Sequence, residues 1–240
     1  MIVNHQHKFI FLKVSKTGGS SVEAFLRRFC VPGDIVTWLD DDEEQAIRGT
    51  GACLPMGFAK PAAGVPPLAR LLMAFNHRKT LRRHGLSPHA GAARVKRYVG
   101  DRVWGDYEKF CVVRNPLDRS VSQFFWTAAN RGWEDAATHF HVRFDEFLQS
   151  NDFRRLNEKG RDVYAIDGRV VANRVLRFET LEQDLGRTMR DLGIDTPLEL
   201  TRFKSTQRPK GDFAAMLNDR QRQVIRDTFA FDIEHFGYVV

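Results

Sequence analysis

The sequence is sparing with cysteine, with long apolar runs and with repetition, and each shortage removes a class of protein. Three cysteines, Cys30, Cys53 and Cys111, are spread over 240 residues without a Cys-x-x-Cys pair. That spacing argues against a disulfide framework or a thiolate zinc site and reads as reduced thiols in a cytoplasmic setting. No window approaches the roughly 18 unbroken apolar residues of a membrane span. The best candidate, "GVPPLARLLMAF", is broken by prolines and Arg70. The opening "MIVNHQHKFIF" lacks the basic start, apolar stretch and small-residue cleavage site of a secretory signal. The chain is therefore expected to be cytoplasmic, with no integral membrane segment. No repeat or low-complexity tract is present, and no side-chain cluster has metal-ligand spacing, so no metal is expected.

What remains is an ordinary globular composition. Hydrophobic residues make up 42% and aromatics 11% of the chain, enough to bury one core over a single domain, residues 1–240. The net charge of +7 implies an anionic partner without naming it. The basic residues are scattered, and no zinc-finger, RNP-type or GXXG signature accompanies them, so a nucleic-acid partner is not expected. A polyanionic cofactor or an anionic substrate accounts for the charge equally well.

Strand-like and helix-like segments alternate. "KFIFLKV" reads as a buried strand and "GSSVEAFLRRF" as a helix with apolar Val22, Phe25, Leu26 and Phe29. "DIVTWL", "KFCVVR" and "RVLRFE" read as further strands. "HAGAARVKRYVG", "PLDRSVSQFFWTAA" and "LEQDLGRTMRDLG" read as helices, the second opened by Pro116 and the third closed by Gly193. Residues 49–67 are rich in Gly, Ala and Pro and read as a long loop. Alternation of this kind predicts an α/β fold: a central, mostly parallel sheet with helices on both faces, binding ligands where strand ends meet helix starts.

Two such junctions carry chemistry. In "KVSKTGGSS", Gly18 and Gly19 let backbone N–H groups approach a ligand, Thr17, Ser20 and Ser21 add hydroxyls, and the helix start adds positive potential. With Lys16 this makes an anion cradle. A capped helix after a glycine turn, with Lys16 in solvent, fits the same stretch. A nucleotide triphosphatase needs GxxxxGK[ST], with lysine after the glycines; here it precedes them, which weakens the ATP–magnesium reading. In "KFCVVRNPLDRSVSQFF", Arg114 stands at a strand end and Ser122 about two turns into the next helix. Arginine can grip a phosphate through two parallel N–H bonds, and a serine hydroxyl can add a third. Alternatively Arg114 serves a structural ion pair.

Together, and in this order, the motifs resemble those of sulfotransferases that use 3′-phosphoadenosine 5′-phosphosulfate (PAPS). "KTGGSS" after a strand is similar to their 5′-phosphosulfate loop, a P-loop-like element. "VVRNPLDRSVSQFF" is similar to their 3′-phosphate motif, including the step from Arg114 to Ser122. The likeness continues through "HAGAARVKRYVGDRVWGDYEKF", "RVLRFETLEQDLGRTMRDLGI" and "DIEHFGY", from about Lys8 to Tyr238. It is nearest to the carbohydrate sulfotransferases, the two-O-sulfotransferase-like branch and its bacterial relatives. The resemblance implies PAPS as donor and a hydroxyl of a carbohydrate or similar acceptor as the target. It implies Lys16 at the leaving 5′-phosphate, with Thr17, Gly18, Gly19, Ser20 and Ser21 around it, and Arg114 and Ser122 at the 3′-phosphate. In "KSTQRPKGDF", Arg208, Lys210 and Gly211 are similar to the family's late loop over the adenosine and 3′-phosphate.

His89 is the candidate base for the acceptor hydroxyl. It is read as beginning the "HAGAARV" helix, and its ordinary pKa of about 6.5 suits the task. His77 and His84 lie nearby in sequence, and relatives can use a glutamate instead. Residues 49–87 and 130–167 match the family least and are expected to shape the acceptor pocket, 49–87 as an insertion. A P-loop-like small-molecule kinase and a basic nucleic-acid-binding domain are the alternatives.

Overall fold

The structure, a computed structural model, describes residues 1–59, 66–68, 71, 85–201, 203, 209 and 211–240. Chain order begins with strands β1 (Ile2–Asn4) and β2 (Phe9–Leu12), helix α1 (Gly19–Leu26), strand β3 (Ile35–Val36) and helix α2 (Asp41–Ala46). Helix α3 (Ala92–Asp106), strand β4 (Glu108–Val113) and helices α4 (Pro116–Arg131), α5 (Phe140–Leu148) and α6 (Asn151–Tyr164) follow. The chain closes with strands β5 (Ala165–Ile166), β6 (Arg169–Val170) and β7 (Arg174–Arg177), then helices α7 (Leu181–Asp191), α8 (Asp219–Thr228) and α9 (Ala230–Phe236).

Five strands form one sheet in the order β3-β1-β2-β4-β7. β2, β4 and β7 run parallel, with Phe11 opposite Phe110 and Cys111 opposite Val175. β1 is antiparallel to both β2 and β3. The sheet is thus mixed rather than mostly parallel. Residues 5–8 are too few for a crossover, so β1 and β2 can join only as a hairpin. Its turn holds Lys8 at φ 51°.

Side-chain alternation along the strands explains why helices cover both faces. Ile10, Leu12, Cys111 and Val113 point to one side and pack with Val95 and Trp104 of α3 and Val163 and Tyr164 of α6. Phe9, Phe11, Phe110 and Val112 point to the other and pack with Val22, Phe25 and Leu26 of α1 and Leu185 and Met189 of α7. A third, phenylalanine-rich core lies off the sheet, where Phe124 and Phe125 of α4 meet Phe140, Phe144 and Phe147 of α5 and Phe229. Because β2 and β4 are parallel neighbours, the two loops that leave their C-terminal ends lie side by side.

Candidate functional site

At that sheet edge lies a cleft of about 1810 Å³. Lys16, Gly18, Gly19, Ser20, Ser21, His89, Arg114, Ser122 and Gly211 all line it. Arg208 and Lys210 fall outside the described residues, as do His77 and His84. Thr17 departs from expectation. It is fully buried, and its hydroxyl donates to the Val14 carbonyl at 3.0 Å, so it braces the loop from behind and does not line the cleft.

The loop is held in an uncommon backbone shape. Lys16 has φ 63° and Gly18, the N-cap of α1, φ 75°. A Cβ on Gly18 would stand 3.1 Å from Phe178 Cε2, and one on Gly19 2.9 Å from Lys13 Cγ. Glycine is therefore required twice, once for conformation and once for close packing. The Gly18 carbonyl accepts from Ser21 N–H at 3.1 Å and Val22 N–H at 3.3 Å, starting the helix.

Two arginines of α4 and its approach tie the second motif to the first. Arg114 donates from Nε to Asp118 at 2.6 Å and from a terminal nitrogen to the Lys16 carbonyl at 3.2 Å. Its guanidinium lies 3.9 Å from the centre of the Phe178 ring, a cation–π contact. Asp118 thus gives Arg114 the ion pair foreseen as an alternative, while the guanidinium also reaches the loop. Asn115 caps α4 by accepting from Leu117 N–H at 2.9 Å, with Pro116 in the first turn. Arg119, 2% exposed, donates to the Ser15 carbonyl at 3.1 Å and the Leu156 carbonyl at 3.1 Å and pairs with Asp232 at 3.5 Å. Sequence reading passed over Arg119; its position one turn beyond Arg114's neighbours in the motif was the available signal.

His89 lies in the turn ahead of α3, whose N-cap is Gly91, rather than at the helix start. Its Nδ1 is 2.9 Å from the Lys13 carbonyl. A carbonyl can only accept, so Nδ1 carries the hydrogen and Nε2 keeps the lone pair. Its ring lines the cleft, with the carbonyl-bonded edge turned to the protein. The enclosing walls, and after them the charge of Lys13, push its pKa down to about 4, against the upward pull of the carbonyl bond and Glu23.

Lys13 itself connects base and loop. Its stem packs on Gly19 and its ammonium meets Glu23 of α1 at 2.9 Å. Glu23 is fully buried and also accepts from the Met1 α-amino group at 2.8 Å and the Thr37 hydroxyl at 3.2 Å. Arg27, one turn on, lies 3.5 Å from Glu23 and 2.9 Å from Glu44. Despite the cost of burial, Lys13 and the other positive groups hold the Glu23 pKa at about 2. Charges within an apolar helix face gave no sequence signal, because their partners lie on other elements.

Trp38, Leu39, Asp40, Glu43, Gln123, Trp126 and Lys159 also line the cleft. Lys16 Nζ sits 5.0 Å from the centre of the Trp126 ring. Among the described residues no group of three or more His, Cys, Asp or Glu could hold a metal ion, and no helix is long and apolar enough to cross a membrane.

Comparison with known proteins adds family membership to this geometry. A protein of Archaeoglobus fulgidus, described as an uncharacterized protein, is 23% identical over 112 residues, covering 44% of this chain and 84% of the relative. No solved structure matches. The sequence model of the Sulfotransferase family matches residues 1–239. The chain therefore belongs to the sulfotransferase family, whose members transfer a sulfuryl group to an acceptor.

Proposed function

We propose that this enzyme takes its sulfuryl group from PAPS and delivers it, by in-line displacement and without a metal, to a hydroxyl of a carbohydrate acceptor. The single observation behind this reading is one cleft that gathers the Lys16–Ser21 loop, the Arg114–Ser122 pair and His89. The cleft also has room: its volume exceeds the roughly 300–1,000 Å³ of an ordinary ligand pocket, as two substrates require.

PAPS supplies an activated sulfuryl group on a leaving 5′-phosphate. Lys16 and the N–H groups of the glycine turn face the oxygen on which negative charge grows as the S–O bond breaks, stabilisation that counts most in the transition state. His89 takes the acceptor proton at Nε2, the nitrogen not committed to the Lys13 carbonyl. A depressed pKa keeps the ring neutral and ready at pH 7. Arg114, its plane fixed by Asp118 and Phe178, meets the 3′-phosphate together with the Ser122 hydroxyl. Gly211, which lines the cleft, is placed to meet the same ligand. Trp38 and Trp126 offer the aromatic surface on which sugar rings pack.

Incubation with labelled PAPS and a panel of saccharides and small alcohols tests the reading. The expected result is label in a saccharide and release of adenosine 3′,5′-bisphosphate. Phosphoryl transfer from ATP in magnesium, with none from PAPS, would replace this reading with a kinase.

A further inference from the structure

Two of the three cysteines lie together, away from the cleft. Cys30 follows the turn that ends α1, and Cys53 stands at the start of the segment that returns to the cleft at Ser87 and His89. The backbone N–H groups of both donate to one oxygen, the Arg27 carbonyl, at 3.4 and 3.2 Å. A shared acceptor seats the two backbones side by side. The two thiols are near enough to perturb each other, the Cys30 S–H donates to the Leu26 carbonyl at 3.5 Å, and both cysteines pack at the margin of one apolar cluster. Both are half-buried, so small oxidants can reach them, whereas Cys111 is fully buried in the sheet.

The pair is chemically unequal. The adjacent Cys30 thiol, and more weakly the Arg27 charge, lower the Cys53 pKa against burial and Asp34. The same contact and burial push Cys30 up. Thiolate character therefore falls on Cys53, with Cys30 placed as the resolving thiol.

We infer that Cys30 and Cys53 are a two-electron redox site that closes to a disulfide when hydrogen peroxide oxidises it. The Cys53 thiolate attacks the peroxide O–O bond, giving a sulfenic acid and releasing hydroxide, which takes up a proton to leave as water. The Cys30 sulfur then attacks the sulfenic sulfur. The S–S bond forms, the S–O bond breaks, and the Cys30 proton leaves with the hydroxyl as a second water. Two electrons pass from the sulfurs to the peroxide, and a dithiol such as dithiothreitol returns them. In a reducing compartment the bridge is transient, formed under oxidant and then reopened. While closed, it fastens the start of the segment leading to His89 onto the end of the helix that follows the Lys16 loop.

Equimolar hydrogen peroxide on the purified protein, quenching with N-ethylmaleimide and a non-reducing peptide map test the site. The expected result is a Cys30–Cys53 cross-linked peptide, with free thiols falling from the three in the sequence to Cys111 alone and returning with dithiothreitol. Cys30→Ser should leave a Cys53 sulfenic acid that dimedone traps. Separate sulfinic acids without a cross-link, a bridge through Cys111, or intermolecular dimers alone would each overturn the inference.

Discussion

Replacing Glu23 by Gln removes one negative charge from a fully buried cluster and should show how strongly the floor of the site is held. Lys13, with a side chain 5% exposed, would lose its ion partner, and Arg27 would keep only Glu44. Breaking a buried pair by removing one partner costs about 3–5 kcal/mol, because the other charge stays behind uncompensated. Linkage gives a similar figure independently. The Glu23 pKa is lowered from 4.5 to about 2, and about 1.4 kcal/mol per unit gives roughly 3 kcal/mol. The folded pKa lies below the unfolded one, so this stability is fully present above pH 4.5 and is lost as pH falls toward about 2. Urea unfolding at pH 7 should show Glu23→Gln less stable by that amount, and its melting temperature lower by roughly 6–20 °C for a chain of this size. The difference from wild type should shrink as pH falls below 4.5. A loss under about 1 kcal/mol, unchanged with pH, would refute the idea that this cluster anchors Lys13 and the loop.

Four further outcomes follow from the geometry. His89→Ala should bind adenosine 3′,5′-bisphosphate like wild type yet lose the roughly 10²- to 10⁴-fold that a positioned base contributes. Because His89 is pushed down to about 4, the wild-type rate should stay level from pH 7 to well below 6.5, whereas Lys13→Met should move the acid limb upward; a wild-type limb at 6.5 would contradict the geometry. Gly18→Ala should weaken bisphosphate binding while circular dichroism stays unchanged, since φ 75° and Phe178 at 3.1 Å oppose a Cβ by about 1–3 kcal/mol; calorimetry showing wild-type affinity would remove the loop from the site. Sulfuryl transfer should persist in excess EDTA, and an absolute magnesium requirement would show that Lys16 and the loop N–H groups do not supply the positive charge.

The sequence made the two strand–turn–helix motifs readable because each is local: strand end, short turn and helix start follow one another within about a dozen residues. Their convergence was also readable, since parallel neighbouring strands deliver their exits to the same edge. β1 was not. Three residues, Ile2–Asn4, carry too little periodicity, and their pairing to β2 and β3 is what makes the sheet mixed. Helices α5 and α6 lay in a stretch that matched the family least, though Phe140, Phe144 and Phe147 repeat at helical spacing. Thr17 looked like a ligand donor because loop hydroxyls often are, yet only coordinates show its hydroxyl turned onto Val14. The support from Lys13, Glu23 and Arg119 depends on contacts between distant segments, such as Arg119 with Ser15, which no pattern along the chain encodes.

The central claim, that this cleft takes a nucleotide bearing both a 5′- and a 3′-phosphate group, is tested most directly by calorimetry without any acceptor. Adenosine 3′,5′-bisphosphate should bind far more tightly than AMP or ATP, and Arg114→Ala should erase that preference while the protein stays folded. At 100 times its dissociation constant the bisphosphate should add about 2.7 kcal/mol of stability, which provides a second reading of the same affinity. Equal binding of AMP and the bisphosphate, or a preference for ATP that survives Arg114→Ala, would contradict the account.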